Sequence, residues 1–184
     1  MLFKALKTVL LTSITLVTTN TFANNQTVSL GYAQIKIKDS LDQGSEDLKG
    51  FNLQYRYEWN SPVSLLVSTS YLTGDDKRID DDAKGYQALD IENFSLLAGP
   101  AYRFNDFVSA YALGGFARTK IEHTDKRYDG SYYDREDYSK SNFAYGAGII
   151  VNPTPSLSFN VGYEGTKIAS EKLNGFNVGI GYRF

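Results

Sequence analysis

The chain has 184 residues, of which 42% are hydrophobic and 14% aromatic, and it contains no cysteine. The missing cysteines exclude disulfide bonds, cysteine-based metal sites and catalytic thiols. The formal net charge is −2 at pH 7, from 19 basic and 21 acidic residues, and this balance indicates no nucleic-acid partner.

The first residues have the pattern of a secretory signal. Lys4 and Lys7 precede an uncharged, mostly apolar run at residues 8–17, and residues 21–23 supply small side chains at the two positions that a signal peptidase recognises. The apolar run is shorter than the roughly 20 residues that a spanning helix needs. We therefore expect a cleaved signal peptide at residues 1–23 and a mature domain at residues 24–184, with 17 basic against 21 acidic residues and no transmembrane helix.

The mature chain opens with segments in which apolar and polar residues alternate, which places them on opposite faces of β-strands. The clearest is residues 50–59, where Phe51, Leu53, Tyr55, Tyr57 and Trp59 share one face without any charge. A strand near residues 28–33 precedes it, and a third begins at Val63. Residues 60–62 (NSP) predict a turn between the second and third strands, because proline cannot donate a ladder hydrogen bond.

Five further strands follow. The fourth covers residues 91–104, and the fifth, near residues 107–118, is apolar or small in both phases. For this fifth strand we predict that Val108, Ala110, Ala112 and Phe116 face outward. Residues 143–151 and 157–164 predict the sixth and seventh. Residues 175–184 alternate strictly and end on an aromatic residue, which is typical of the closing strand of a transmembrane β-barrel, with lipid outside and small or polar side chains inside.

The connections between these strands alternate in length. Short turns are predicted at Asn60, Asn105 and Asn152, and long polar segments at residues 38–49, 74–90, 119–140 and 165–174. The sequence therefore predicts an all-β fold, an eight-stranded antiparallel transmembrane β-barrel in the bacterial outer membrane, with short periplasmic turns and long extracellular loops.

The inward faces of the strands carry a set of polar and charged residues. Eight strands leave an interior that side chains fill, so we expect no open channel. Buried charges persist only when they are paired and hydrogen-bonded, which predicts an Arg/Glu network with a structural rather than a catalytic role. Its predicted members are Gln54, Arg56, Glu58, Arg103, Glu164 and Arg183.

The third long segment is rich in tyrosine and arginine, the side chains that protein-binding surfaces favour. One interpretation is a ligand-binding loop. The other, compatible with it, is a sheet that protrudes beyond the membrane as a continuation of strands five and six. The candidate ligand-binding residues are Arg127, Tyr128, Tyr132, Tyr133, Arg135 and Tyr138.

Two other polar groupings suggest chemistry, but weakly. His123 is the single histidine and lies near Glu122, Asp125 and Ser131, so a lipid A-modifying Ser/His/acid enzyme is an unfavoured alternative. The aspartates at positions 75, 76 and 80–82 lack the ligand spacing of a calcium loop, and a solvated acidic loop is the favoured interpretation. We predict no catalytic residue, metal or cofactor.

Four motifs in order carry a family resemblance: GFNLQYRYEW (50–59), AGPAYRFND (98–106), FAYGAGI (143–149) and VGIGYRF (178–184). Together they resemble the OmpX/Ail/PagC family of small enterobacterial outer-membrane proteins. The resemblance implies assembly guided by a C-terminal aromatic signal at Tyr182 and Phe184. It also implies surface loops that mediate attachment to host cells or matrix, invasion, or resistance to complement.

The resemblance also sets the expected partners. These are outer-membrane lipid and lipopolysaccharide, the barrel-assembly machinery, and host-cell, extracellular-matrix or complement-regulator proteins, with the chain itself a monomer. An envelope-integrity barrel without a host ligand is the alternative. The segment at residues 74–90 has six aspartates against three basic residues, which weakens any transfer of heparin-like binding from basic relatives.

Overall fold

The computed structural model describes residues 25–37, 46–80, 85–127, 132–168 and 171–184, so the predicted signal peptide lies outside the described part of the chain. These residues form eight antiparallel strands, and pairing of the first with the last closes the sheet into a barrel, which confirms the predicted fold class. The strands are β1 (Gln26–Ile37), β2 (Glu46–Glu58), β3 (Val63–Asp80), β4 (Gly85–Arg103), β5 (Val108–Arg127), β6 (Tyr132–Val151), β7 (Leu157–Ile168) and β8 (Glu171–Arg183).

The outer wall of the barrel is apolar and aromatic, as the alternation predicts. Leu30, Phe51, Leu96, Tyr145 and Ile180 are among the large side chains exposed there. The predicted phase of β5 is confirmed, because Phe116 is exposed while Tyr111, Leu113 and Ala117 are buried inside. Among the described residues, no helix is long and apolar enough to cross a membrane.

The three short connections are tight and hydrogen-bonded locally, and they define the turn end of the barrel. Asn105 Oδ1 accepts hydrogen bonds from the backbone N–H groups of Phe107 and Val108, both at 2.9 Å. Thr154 Oγ1 accepts one from the Leu157 N–H at 3.1 Å. Pro62 precedes the first residue of β3 and its carbonyl accepts the Arg103 N–H at 2.7 Å, so it lies in the turn as expected.

The opposite, loop end differs from the sequence prediction. The described residues of the four segments predicted as long connections are strand, and β3, β4, β5 and β6 each run for 18 to 20 residues. Alternation of polar and apolar residues identifies a strand only where one of its faces meets lipid or a core. For the third segment, the structure agrees with the interpretation that β5 and β6 continue as a sheet, and for the other segments alternation alone did not show how far the strands extend.

The barrel interior contains more large apolar side chains than the small-or-polar rule predicts. Four large apolar side chains point inward near the loop end: Leu48, Leu72, Ile91 and Leu173. They pack with Ala33 and Ile35 of β1. A second buried apolar cluster contains Leu66, Leu97, Ala101, Tyr111, Leu113, Ala117, Ala144 and Ile150. Apolar clusters and polar side chains therefore fill the inside together.

Candidate functional site

The four long strands continue past the barrel as one sheet. Gly74 pairs with Ile91, Ile91 with Ile121, and Ile121 with Tyr138, so these positions form one row across β3, β4, β5 and β6. From that row to the strand tips, β3 stays paired with β4, β4 with β5, and β5 with β6. We call residues 74–80, 85–91, 121–127 and 132–138 the loop-end sheet.

The two outer strands of the loop-end sheet are edges. Pairing of β2 with β3 ends at the Lys49–Thr73 pair, and pairing of β6 with β7 ends at the Ala144–Thr166 pair. In the described ranges, residues 132–143 of β6 therefore have no strand on their outer side. A row of unpaired backbone N–H and C=O groups is a template on which another extended chain can pair.

The backbone of the loop-end sheet gathers most of the predicted ligand-binding residues. Arg127 pairs with Gly85, Tyr132 with Lys126, Arg135 with Thr124 and Tyr138 with Ile121. Tyr133 lies at the register shift between Asp125 and Lys126. Tyr128 lies outside the described residues. Five of the six candidates thus share one hairpin, four of them on its edge strand.

The weaker chemical candidates occupy the same region. His123 pairs with Leu89 and with Glu136, in register on two boundaries, while its proposed partner Ser131 lies outside the described residues. Asp75, Asp76 and Asp80 belong to β3, and Asp81 and Asp82 are not described. Within the described ranges, no three His, Asp or Glu side chains lie close enough to hold a metal ion.

The loop-end sheet rises from a rim of ordered polar contacts. The Tyr71 hydroxyl donates to Glu92 Oε1 at 3.0 Å, and Arg118 Nε donates to Ser139 Oγ at 2.9 Å. On the other side of the barrel, Gln34 Nε2 donates to Asp47 Oδ2 at 2.7 Å. The loop-end sheet therefore continues from a part of the barrel that is held by these polar contacts and by the buried leucines beneath them.

Glu58 is the centre of a charged cluster at the turn end of the lumen. Arg56 Nη2 lies 2.9 Å from Glu58 Oε1 and Arg103 Nη2 lies 2.7 Å from Glu58 Oε2, while Arg183 Nη2 also contacts Oε2. Arg56 donates in addition to Ser64 Oγ at 2.8 Å and to Ser109 Oγ at 3.2 Å. These contacts join β2, β3, β4, β5 and β8.

Glu164 is the centre of a separate cluster nearer the loop end. Its carboxylate accepts hydrogen bonds from three serine hydroxyls, Ser68 at 3.4 Å, Ser70 at 3.1 Å and Ser95 at 3.1 Å, and from Asn177 Nδ2 at 3.5 Å. Asn52 Nδ2 contacts two of the same serines. The structure thus divides the predicted charged residues between two clusters.

Gln54 lies between the two clusters. Its Nε2 donates to the Tyr111 hydroxyl at 3.5 Å, and the Tyr111 ring lies along the inner wall over Gly148, its pairing partner on β6, and Gly162 on β7. A side chain on Gly162 would overlap the Tyr111 hydroxyl, so glycine makes room for the ring there.

The neutral partners of these charges were not predicted from the sequence. Only charged residues and Gln54 were predicted as network members. The missed signal is the row of serines and asparagines in inward phase on neighbouring strands. The residues missed are Asn52, Ser64, Ser68, Ser70, Ser95, Ser109, Tyr111 and Asn177.

The sequence model of the enterobacterial Ail/Lom protein family matches residues 3–184. The virulence membrane protein PagC of Salmonella typhimurium is 40% identical over 186 residues, covering 97% of each chain. Outer membrane protein X of Escherichia coli K12 is 34% identical over 163 residues, covering 88% of this chain and 87% of that protein.

One solved structure is close to this barrel in both fold and sequence. The crystal structure of Ail, the attachment invasion locus protein of Yersinia pestis, in complex with the heparin analogue sucrose octasulfate, matches with a TM-score of 0.72 and 32% identity. The match covers 87% of this chain and 98% of Ail.

Proposed function

The chain belongs to the enterobacterial Ail/Lom family of outer-membrane surface proteins, and on that premise we propose that its loop-end sheet attaches the bacterium to host cells or extracellular matrix, promotes invasion, or recruits complement regulators. The names of two relatives support this direction, one being a virulence membrane protein and the other an attachment invasion locus protein. In this proposal the loop-end sheet faces the outside of the cell and the turn end faces the periplasm.

The outer edge of β6 is the observation that supports binding most directly. Residues 132–143 have a strand on one side only among the described residues, and four of the candidate tyrosines and arginines belong to this edge strand. Backbone groups of an edge give affinity to an extended partner segment, and side chains along it give specificity. Tyrosine and arginine combine a large contact area with polar ends, which suits a protein partner.

The charge of the neighbouring hairpin bears on the class of partner. Residues 74–90 contain six aspartates against Lys77, Arg78 and Lys84, and the described part of this range, residues 74–80 and 85–90, belongs to the β3–β4 part of the loop-end sheet. A polyanion such as a heparin-like chain is repelled by such a surface. Although Ail of Yersinia pestis has been solved with a heparin analogue, we therefore propose a protein partner for this chain.

The C-terminal aromatic residues bear on assembly of the barrel. Tyr182 and Phe184 have stacked rings 6.4 Å apart, and the Phe184 N–H donates to the Gln26 carbonyl where β8 meets β1. We propose that this pair is the aromatic signal for the barrel-assembly machinery, and that the chain acts as a monomer among outer-membrane lipid and lipopolysaccharide. Its role is non-enzymatic in this proposal.

The test is attachment of a non-adherent bacterium that expresses the protein to cultured epithelial cells. The double variant Tyr132→Ser/Tyr133→Ser changes two side chains of the edge strand, and we expect its attachment to fall at least severalfold. The matched control replaces residues 38–45 by Gly/Ser of equal length, at the β1–β2 connection, outside the loop-end sheet. All forms are first shown to be folded by their heat-dependent migration in gels.

Three results separate the alternatives. Loss in the double variant with retention in the control supports binding through β6. Equal attachment by all three forms contradicts a role for these tyrosines. If the native form does not attach, does not improve serum survival, and its deletion sensitises the parent strain to detergent, then the envelope-integrity function replaces this proposal.

A further inference from the structure

Two carboxylates inside the barrel differ in the charges that surround them. Glu58 contacts arginines, with Arg56 Nη2 at 2.9 Å and Arg103 Nη2 at 2.7 Å. Glu164 is buried as well, at 8% exposure, but among the described residues its side-chain contacts are with three serine hydroxyls and one asparagine amide, and none is with a lysine or an arginine. Burying a carboxylate without a cation is costly. The surroundings of Glu164 therefore favour a positive charge that no described side chain supplies.

The hydroxyl groups around Glu164 lie at the spacing of ligands around a cation. A hydroxyl that donates to a carboxylate normally lies about 2.5–2.7 Å from the acceptor oxygen. Here Ser70 and Ser95 lie at 3.1 Å and Ser68 at 3.4 Å. A hard cation such as Ca²⁺ holds oxygen ligands at roughly 2.3–2.6 Å, which separates neighbouring ligands at right angles by about 3.3–3.7 Å. Na⁺ has nearly the same ionic radius, so the observed distances are closer to its ligand spacing than to direct hydrogen bonds.

A neutral oxygen beside the carboxylate has no partner of its own. Asn177 is 1% exposed, and its Nδ2 donates to Glu164 Oε1 at 3.5 Å. Its Oδ1 is buried and accepts no hydrogen bond among the described residues. A buried acceptor left unpaired destabilises the fold. Amide oxygens are also ligands that hard cations take, so one cation at this place satisfies both the carboxylate and the amide oxygen.

Apolar side chains border this group of oxygens. A Cβ on Gly146 would lie 3.2 Å from Leu97 Cδ1 and 3.5 Å from Glu164 Cγ, so the fully buried Leu97 adjoins the glutamate. Leu72, two residues after Ser70 on the inner face of β3, is fully buried too. Attraction between opposite charges is stronger in such low-dielectric surroundings than in water. The described part of the chain has no group of three His, Asp or Glu side chains, and a single carboxylate balances one positive charge.

We propose that the cluster around Glu164 binds one alkali cation, Na⁺ or K⁺. The Glu164 carboxylate is the charged ligand, and the neutral ligands are Asn177 Oδ1 and the hydroxyl oxygens of Ser70 and Ser95. These four residues belong to β7, β8, β3 and β4, so the ion joins strands from opposite halves of the sequence. The site lies inside the barrel, and it does not depend on the loop-end sheet or on host binding.

The test is the dependence of unfolding on the alkali ion. The full barrel is unfolded and refolded with urea in vesicles of phosphatidylcholine, which has no net charge, and Trp59 fluorescence is measured. At constant chloride concentration and ionic strength, choline is replaced stepwise by Na⁺ or by K⁺. Because the ion binds only the folded barrel, each tenfold rise in its concentration above the dissociation constant should lower the unfolding equilibrium constant about tenfold.

Two variants locate the effect. Glu164→Gln removes the charged ligand and should abolish the dependence on Na⁺ and K⁺. Glu92→Gln is the matched control, because it removes the charge of a rim carboxylate that accepts a hydrogen bond from Tyr71, and it should keep the full dependence.

An unfolding constant of the native chain that does not change with Na⁺ or K⁺ overturns the proposal, because water or a proton then satisfies Glu164. Equal dependence in the native chain and in Glu164→Gln overturns it as well, because the ion then binds elsewhere. If Glu164→Gln does not fold, Asn177→Ala keeps the carboxylate and removes the amide ligand. It should raise the ion concentration at half-maximal effect severalfold, and an unchanged concentration there also overturns the proposal.

Discussion

Ser70 Oγ lies 3.1 Å from each carboxylate oxygen of Glu164, so a single hydroxyl on β3 contacts both acceptors of a carboxylate on β7. Ser68, Ser95 and Asn177 complete the contacts of this carboxylate. A buried acceptor of this kind ties distant strands together, because removing it leaves several buried donors without partners at once.

Glu164→Ala should therefore destabilise the barrel by about 2–4 kcal/mol. The measurement is urea unfolding of the protein in lipid vesicles, followed by tryptophan fluorescence from Trp59. Glu92→Ala is the control, since it also removes one carboxylate but at the outer rim, where it accepts a hydrogen bond from Tyr71; we expect a loss below about 1 kcal/mol. Equal losses in the two variants would show that the interior contacts of Glu164 stabilise the barrel no more than the single rim contact of Glu92 does.

Glu58 and Arg103 make unequal contributions to the turn-end cluster. Glu58→Gln leaves three arginines facing one another without the carboxylate, and we expect a loss of about 3–5 kcal/mol, typical of breaking a buried ion pair. Arg103→Gln removes the most exposed of the three cations, and the loss should be smaller. The same unfolding measurement decides the order, and a larger loss in Arg103→Gln would contradict the central position of Glu58.

The lipid-facing wall gives a prediction that depends on membrane insertion. Leu96→Arg places a charge on the outer wall of β4, where Leu96 is exposed. A loss of up to about 2–4 kcal/mol is expected if this position is near the bilayer midplane. Asn60→Arg is the control in the exposed turn between β2 and β3, and it should be nearly neutral. A neutral effect of Leu96→Arg in lipid vesicles would mean that this wall does not face hydrocarbon.

Gly162 and Tyr111 give a prediction that can be tested by a double-mutant cycle. Gly162→Ala forces a methyl group onto the Tyr111 hydroxyl, and overpacking of this kind typically costs about 1–3 kcal/mol. Tyr111→Phe removes the hydroxyl and its hydrogen bond with Gln54. The double variant should be more stable than the sum of the two single losses predicts. Strict additivity would show that the hydroxyl and the added methyl do not meet.

Much of the barrel follows from the sequence because lipid on one side and a filled lumen on the other impose a period of two. This is why Phe51, Leu53 and Tyr55 were placed together on one face of β2 from alternation alone. The predicted phase of β5, with Phe116 outward, agrees with the structure although small residues occupy both phases, and the Tyr111 hydroxyl on the opposite face meets Gln54 inside.

The same rule fails where its physical cause is absent. Residues 75–80 continue β3 without alternation of polar and apolar residues and were predicted as a loop, whereas for residues 132–138 a protruding sheet was one of the two interpretations. Leu48 and Leu173 were included in predicted loops as well, although they are buried near the loop end of the lumen. The partners of Glu164 were missed for a different reason, since cross-lumen contacts depend on barrel closure and shear rather than on any local pattern.

The most direct test of the account is whether the loop-end sheet, and not the barrel, is required for attachment. Replacing residues 75–90 and 122–137 each by an Asn-Gly turn shortens both hairpins in register and leaves the barrel strands intact. A non-adherent bacterium expressing this trimmed form should attach to epithelial cells no better than one with an empty vector, while the native form attaches. Attachment by the trimmed, folded barrel at the native level would contradict the account.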